Sequence, residues 1–134
     1  MPFVRIDLTP GFSPVMRREI ADAVHQALVE AVGIPVADRF QVVSTRADEI
    51  IHDRTYLGIA RSDDIVMIEI HLSAGRTLEI KKALFAALHD KITALGVRGE
   101  DIMVHLVETQ TVNWSFGLGI AQYAEAMPAP FAAQ

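Results

Sequence analysis

Cysteine is absent from all 134 residues, so disulfides are excluded, and a cysteine-free chain fits a reducing, cytoplasmic setting. No apolar run approaches the roughly 20 residues needed to cross a bilayer, which argues against a membrane partner. No cationic stretch followed by an apolar one opens the chain, so no signal peptide is expected. Positive charge is scarce: 12 Lys and Arg stand against 17 Asp and Glu, with no basic stripe, and nucleic acid is an unsuitable partner. Phosphate-cradling glycine loops and clustered metal ligands are also missing, so neither metal nor nucleotide nor flavin cofactor is implied. Glu49 and His52 have the Glu-x-x-His spacing of di-iron bundles, but such a site needs two such pairs and two further glutamates.

What is present is an ordinary globular composition, 51% hydrophobic and 22% charged, at a length suited to a single domain spanning 1–134. An internal repeat organises it. Displaced by 64 places, Val4, Ile6 and Leu8 fall on Ile68, Ile70 and Leu72, and Met16, Ile20, Val24 and Leu28 fall on Ile80, Leu84, Leu88 and Ile92. His25 meets His89, and after a one-residue slip Gly33 meets Gly96 and Asp38 meets Asp101. The repeats cover about 2–45 and 66–108, with a polar connector at 46–64 and a C-terminal hairpin or turn and tail at 109–134, where Pro128 and Pro130 favour irregular backbone.

Each repeat reads as strand, helix, strand. Val4, Ile6 and Leu8 alternate with Arg5 and Asp7, the period of a half-buried strand. From Ser13 to Val32 apolar residues recur at steps of three and four, with Pro14 suited to the first turn and Gly33 to the stop. The second helix is expected from Arg76 to Leu95, closed by Gly96. A strand, a crossover helix and a second strand make a unit with parallel strands. Two such units give an α/β (α+β) fold, a four-stranded core sheet with two helices on one face. Its other face is expected to carry apolar side chains that oligomerisation would cover.

The proline after the initiator, the duplicated unit and the SAGR turn at 73–76 together resemble the tautomerase superfamily. The stretches DRFQVVS, LGIARS and NWSFGLGIAQY look like its malonate semialdehyde decarboxylase branch, and the resemblance runs from Pro2 to about Tyr123. It implies a tautomerase-like homotrimer that needs no cofactor and acts on a small carboxylate-bearing oxo or enol substrate. Carried over by position, Pro2 is the catalytic residue, Asp38 the acid that works with it, Arg76 the binder of the substrate carboxylate, and Trp114 and Phe116 the apolar wall. One departure stands out: the branch has a second arginine where this chain has Ala74. Arg39, Arg46 and Arg61 are candidates to compensate.

The groups themselves support that chemistry. Loss of the initiator would leave Pro2 with a free secondary amine. In an apolar pocket beside cations its pKa falls, and a neutral amine can remove a proton α to a carbonyl. Beside a carboxylate such as Asp38 it rises, by about 1.4 kcal/mol per unit, and a protonated proline can polarise a carbonyl for decarboxylation or hydration. Arg76 offers a two-point fork for a carboxylate. Plainer readings stand beside these: Asp38 opens the second strand as Asp101 does, Arg76 is an exposed first-turn residue, and Trp114 and Phe116 pack an oligomer. In function, the rivals are a catalytically idle interaction module and a small-acid binding protein.

Overall fold

The computed structural model describes residues 2–46 and 49–125. The first strand, β1 (Phe3–Leu8), buries Val4, Ile6 and Leu8 on one face and turns Phe3, Arg5 and Asp7 to the other. Helix α1 (Pro14–Val32) starts where Ser13 accepts a hydrogen bond from the Met16 amide at 3.1 Å. Pro14, in the first turn, gives up an amide that has no helical partner there. The helix stops at Gly33, whose φ of 79° is left-handed and whose amide donates to the carbonyls of Leu28 and Val29. The chain returns as β2 (Gln41–Thr45), parallel to β1.

The second repeat follows the same plan with β3 (Val66–Ser73), α2 (Leu78–Thr93) and β4 (Ile102–Thr109), β4 being parallel to β3. Here the expected helix start is corrected. Thr77 is the cap, accepting from the Ile80 amide at 3.2 Å, so Arg76 belongs to the loop and not to the first turn. A hydroxyl that bonds a free amide at a helix start outcompetes an arginine, whose charge is the less favoured one there.

Antiparallel pairing of β1 with β3 joins the units into one sheet of order β2-β1-β3-β4. Both helices pack on one face, where Ile20, Val24 and Leu28 of α1 and Leu84, Leu88 and Ile92 of α2 close over Val4, Ile6, Ile68 and Ile70. The opposite face carries apolar side chains as expected, Phe3, Val42, Met67, Met103 and Val107, but mixed with charged ones. Arg5 stands opposite Glu69, His71 pairs with Glu69 along β3, and Arg46 reaches Asp7 at 3.3 Å.

The connector holds one 3-10 turn, Tyr56–Gly58, gathered by the Arg61 guanidinium, which donates to the carbonyls of Asp53, Tyr56 and Ile59. Past β4 comes a 3-10 turn at Thr111–Asn113 and then bends, so of the expected hairpin or turn the described residues form a turn. Pro128 and Pro130 lie outside the described residues.

Two substitutions check these assignments by denaturant unfolding at fixed protein concentration. Gly33→Ala is expected to lose about 1–2 kcal/mol, the cost of a left-handed conformation with a Cβ. Leu88→Ala, at a fully buried position under the sheet, is expected to lose about 2–5 kcal/mol.

Candidate active site

The sheet register decides which segments meet. Phe3 lies opposite His71 on β3, and the Val4 amide donates to the Phe40 carbonyl at 3.0 Å, so the start of β1 sits between the exit of β3 and the approach to β2. Ser73 pairs with Thr109, so β4 leaves at that same end, and the segment from Gln110 to Tyr123 follows from there. Pro2, Asp38, Arg76, Trp114 and Phe116 all belong to the segments that converge on this end.

Pro2 is buried one residue ahead of β1. Asp38 is half-buried in the loop between α1 and β2, and that loop is tied down on α1 at three points. His25 Nε2 donates to the Val36 carbonyl at 2.7 Å, Arg39 pairs with Asp22 at 2.6 Å, and the Gln41 amide donates to the Ala21 carbonyl at 2.8 Å. The carbonyl can only accept, so the proton of His25 resides on Nε2. His25 is 7% exposed and structural, whereas its counterpart His89 is at the surface beside Asp90.

Arg76 is half-buried, and its Nη1 donates to the Ser73 carbonyl at 2.8 Å, which fixes the stem of the guanidinium against the end of β3. Trp114 Nε1 donates to Thr109 Oγ1 at 2.7 Å, and its ring stacks on Phe116 at 5.6 Å and 7°. Phe116 in turn meets Tyr123 edge-on at 5.4 Å and Phe40 at 5.7 Å. Gln122 closes this segment on itself, accepting from the Phe116 amide at 2.9 Å and donating to the Gly117 carbonyl at 3.0 Å.

Tyr123 is the residue that links the set. Burial pushes its phenol above the ordinary 10.0, the negative Asp38 pushes it further, and the positive Arg76 draws it back. One phenol thus feels both charges, which brings Asp38, Arg76, Phe116 and Tyr123 into one neighbourhood. Sequence reasoning passed over Tyr123 and Phe40; the signal available was their place inside the NWSFGLGIAQY and DRFQVVS stretches.

Each of the arginines considered as substitutes at Ala74 already has partners elsewhere. Arg39 is held by Asp22 and Gln41, Arg46 by Asp7 and Glu49, and Arg61 by three carbonyls of the connector. A cavity of about 430 Å³ opens elsewhere, between α1 and β2, lined by Arg17, Arg18 and Arg39, and Asp22 already offsets the last two. Among the described residues no group of three or more His, Asp or Glu side chains is arranged to hold a metal. Glu49 is engaged with Arg46, and His52 with the Ser62 carbonyl.

The chain matches the family described as tautomerase enzyme over residues 38–117, and a second family of that description over residues 2–50. It is 39% identical over 127 residues to the probable tautomerase YusQ of Bacillus subtilis (strain 168), covering 93% of this chain and 100% of YusQ. FG41 malonate semialdehyde decarboxylase, solved in a form inhibited by 3-bromopropiolate, is 43% identical with a TM-score of 0.88 over 94% of this chain and 99% of that one. A fused 4-OT, solved as a symmetric trimer, is 25% identical with a TM-score of 0.73 over 88% of this chain and 94% of that one. Fold and site therefore define a protein of duplicated β-α-β units with a charged, aromatic-lined end to its sheet. More narrowly, the chain belongs to the tautomerase superfamily, on its malonate semialdehyde decarboxylase-like branch.

The placement of Tyr123 is checked by alkaline spectrophotometric titration. Subtracting the Tyr123→Phe curve from the wild-type curve is expected to isolate a phenol titrating above 10.0; a midpoint at or below that value contradicts the placement. The folded protein holds this proton more tightly than the unfolded chain, so the stability it contributes is full below pH 10.0 and fades as pH rises through the folded midpoint.

Proposed function

We propose that the chain is a cofactor-independent enzyme that uses Pro2 as an amino-terminal catalytic group to decarboxylate a small 3-oxo acid. The observation that carries this reading is that the segments holding Pro2, Asp38, Arg76 and the Trp114, Phe116 and Tyr123 cluster meet at the end of the sheet where β1 begins. Family membership supports an enzyme, and the decarboxylase likeness supports the reaction class.

In this reading the initiator is removed and Pro2 carries a secondary amine. Asp38 favours its cationic form, since a nearby negative charge stabilises the proton. The ammonium proton polarises the 3-oxo group, and Arg76 grips the carboxylate. The bond between the carboxyl carbon and the α-carbon then breaks. Its electron pair passes into the enolate, carbon dioxide departs, the α-carbon takes the proton of the Pro2 ammonium, and the amine regains a proton from water, so the balance consumes one solvent proton and no other reagent. Trp114, Phe116 and Tyr123 supply the wall that keeps water from the reacting carboxylate. With Arg39, Arg46 and Arg61 committed elsewhere, two-cation binding of malonate semialdehyde is disfavoured, and a 3-oxo acid held by one arginine fits better. Were the amine neutral at working pH, the same site would instead move a proton between carbon and oxygen as a keto-enol tautomerase.

A homotrimer is part of the proposal. The trimeric fused 4-OT shares the fold, and the helix-free face of the sheet presents Met103 at 47% exposure beside charged groups, a mixed surface suited to a partner copy. A cytoplasmic location fits the cysteine-free chain, and among the described residues no helix is long and apolar enough to cross a membrane.

Pro2→Ala is expected to lower kcat/KM for malonate semialdehyde or a related 3-oxo acid by about a hundredfold or more, with circular dichroism and oligomeric state unchanged. Surviving turnover overturns the mechanism. Nitrogen-15 NMR of Pro2 separates the two chemistries: a pKa above about 9 supports the cationic acid, and one near 6 or 7 supports the tautomerase base.

A further inference from the structure

Ser73 is 2% exposed, and among the described residues its hydroxyl makes no hydrogen bond. A buried hydroxyl without a partner costs stability, and native chains retain few of them. Its surroundings explain its retention. Its own carbonyl holds Arg76 at 2.8 Å. Its register partner on β4 is Thr109, whose hydroxyl anchors Trp114. On the other side, the pairing of β1 with β3 runs from Leu8 opposite Val66 to Phe3 opposite His71. Continued by one step it puts Pro2 opposite Leu72, the residue before Ser73. Ser73 is thus flanked by the proline, the arginine and the tryptophan of the proposed site.

We infer that the Ser73 hydroxyl donates a hydrogen bond to the substrate carboxylate oxygen that Arg76 leaves free, supplying the second contact that Ala74 cannot make. The inference rests on the proposed function for the identity of the substrate, a small acid with a single carboxylate gripped by one cation and one neutral donor. A neutral donor also defines the class taken: an acid bearing a second carboxylate finds one guanidinium and a hydroxyl, and no second cation. Arg76 fixes the position, since its Nη1 is already spent on the Ser73 carbonyl and its remaining donors must reach the ligand from that side.

The test uses the processed full chain and its Ser73→Ala and Ser73→Thr variants. 3-Hydroxypropanoate, an unreactive acid with a single carboxylate, is titrated by calorimetry, and turnover of malonate semialdehyde is followed separately. Ser73→Ala is expected to weaken 3-hydroxypropanoate binding by about ten- to a hundredfold, the range of a hydrogen bond to a charged group. Ser73→Thr, which keeps the hydroxyl, is expected to retain the affinity. The melting temperature of ligand-free Ser73→Ala is expected to equal or exceed that of the wild type, because the change removes a buried group with no partner. 3-Hydroxypropanoate affinity unaltered in Ser73→Ala overturns the inference, as does a loss of affinity accompanied by a lowered melting temperature. Turnover by the wild type with binding indifferent to Ser73 sinks this contact alone. Binding that depends on Ser73 without any turnover establishes the contact and overturns the decarboxylase reading.

Discussion

Six residue pairs stitch β1 to β3, and at their centre Arg5 stands opposite Glu69, its own counterpart in the repeat. The two β-α-β units are therefore related by a local twofold axis through that pair. Alone, each unit would offer a two-stranded sheet with an unpaired inner edge, a marginal structure in water. Joined, they bury Val4, Ile6, Leu8, Ile68, Ile70 and Leu72 under two helices. The same antiparallel direction brings the beginning of one central strand to the end of the other, and so determines where an amino-terminal group can meet side chains from the second unit.

The proposed site belongs to neither unit. Asp38 comes from the first, Arg76 from the second, and the aromatic wall from the segment beyond both. Each charge is held by local bonds that have nothing to do with a ligand: the Asp38 loop by His25, Asp22 and the Ala21 carbonyl, and Arg76 by the Ser73 carbonyl. Such support keeps the groups in place without a ligand, so the proposed substrate would find a site with little ordering left to be done.

The fold was readable because its signals are local and periodic. Ser13, Pro14 and Gly33 mark α1, and the alternation of Val4, Ile6 and Leu8 marks β1, with the repeat confirming both. Reading failed where two local signals competed or where meaning arises only in three dimensions. Thr77 and Arg76 are adjacent, and the stronger cap placed Arg76 outside the helix. The polar positions Arg5, Asp7, Glu69 and His71 were visible, yet which of them stand opposite one another on the helix-free face depends on register. Tyr123 has no periodic partner; its importance comes from two distant charges. The engagements of Arg39, Arg46 and Arg61 likewise had no signature in sequence.

The local twofold gives the molecule two ends of kindred design, and they have parted ways. At the second end the counterpart of Pro2 is Val66, fully buried in mid-chain and without an amine to offer. The counterpart of Asp38 is Asp101, which accepts from the Ser62 amide at 2.7 Å and from its hydroxyl at 2.5 Å, clasping the connector to the start of β4. The carboxylate there has become a buckle. Two copies in one chain permit such a divergence: identical separate subunits must carry every substitution twice, whereas here the second half holds the connector and the first is left free for the role proposed for Pro2 and Asp38.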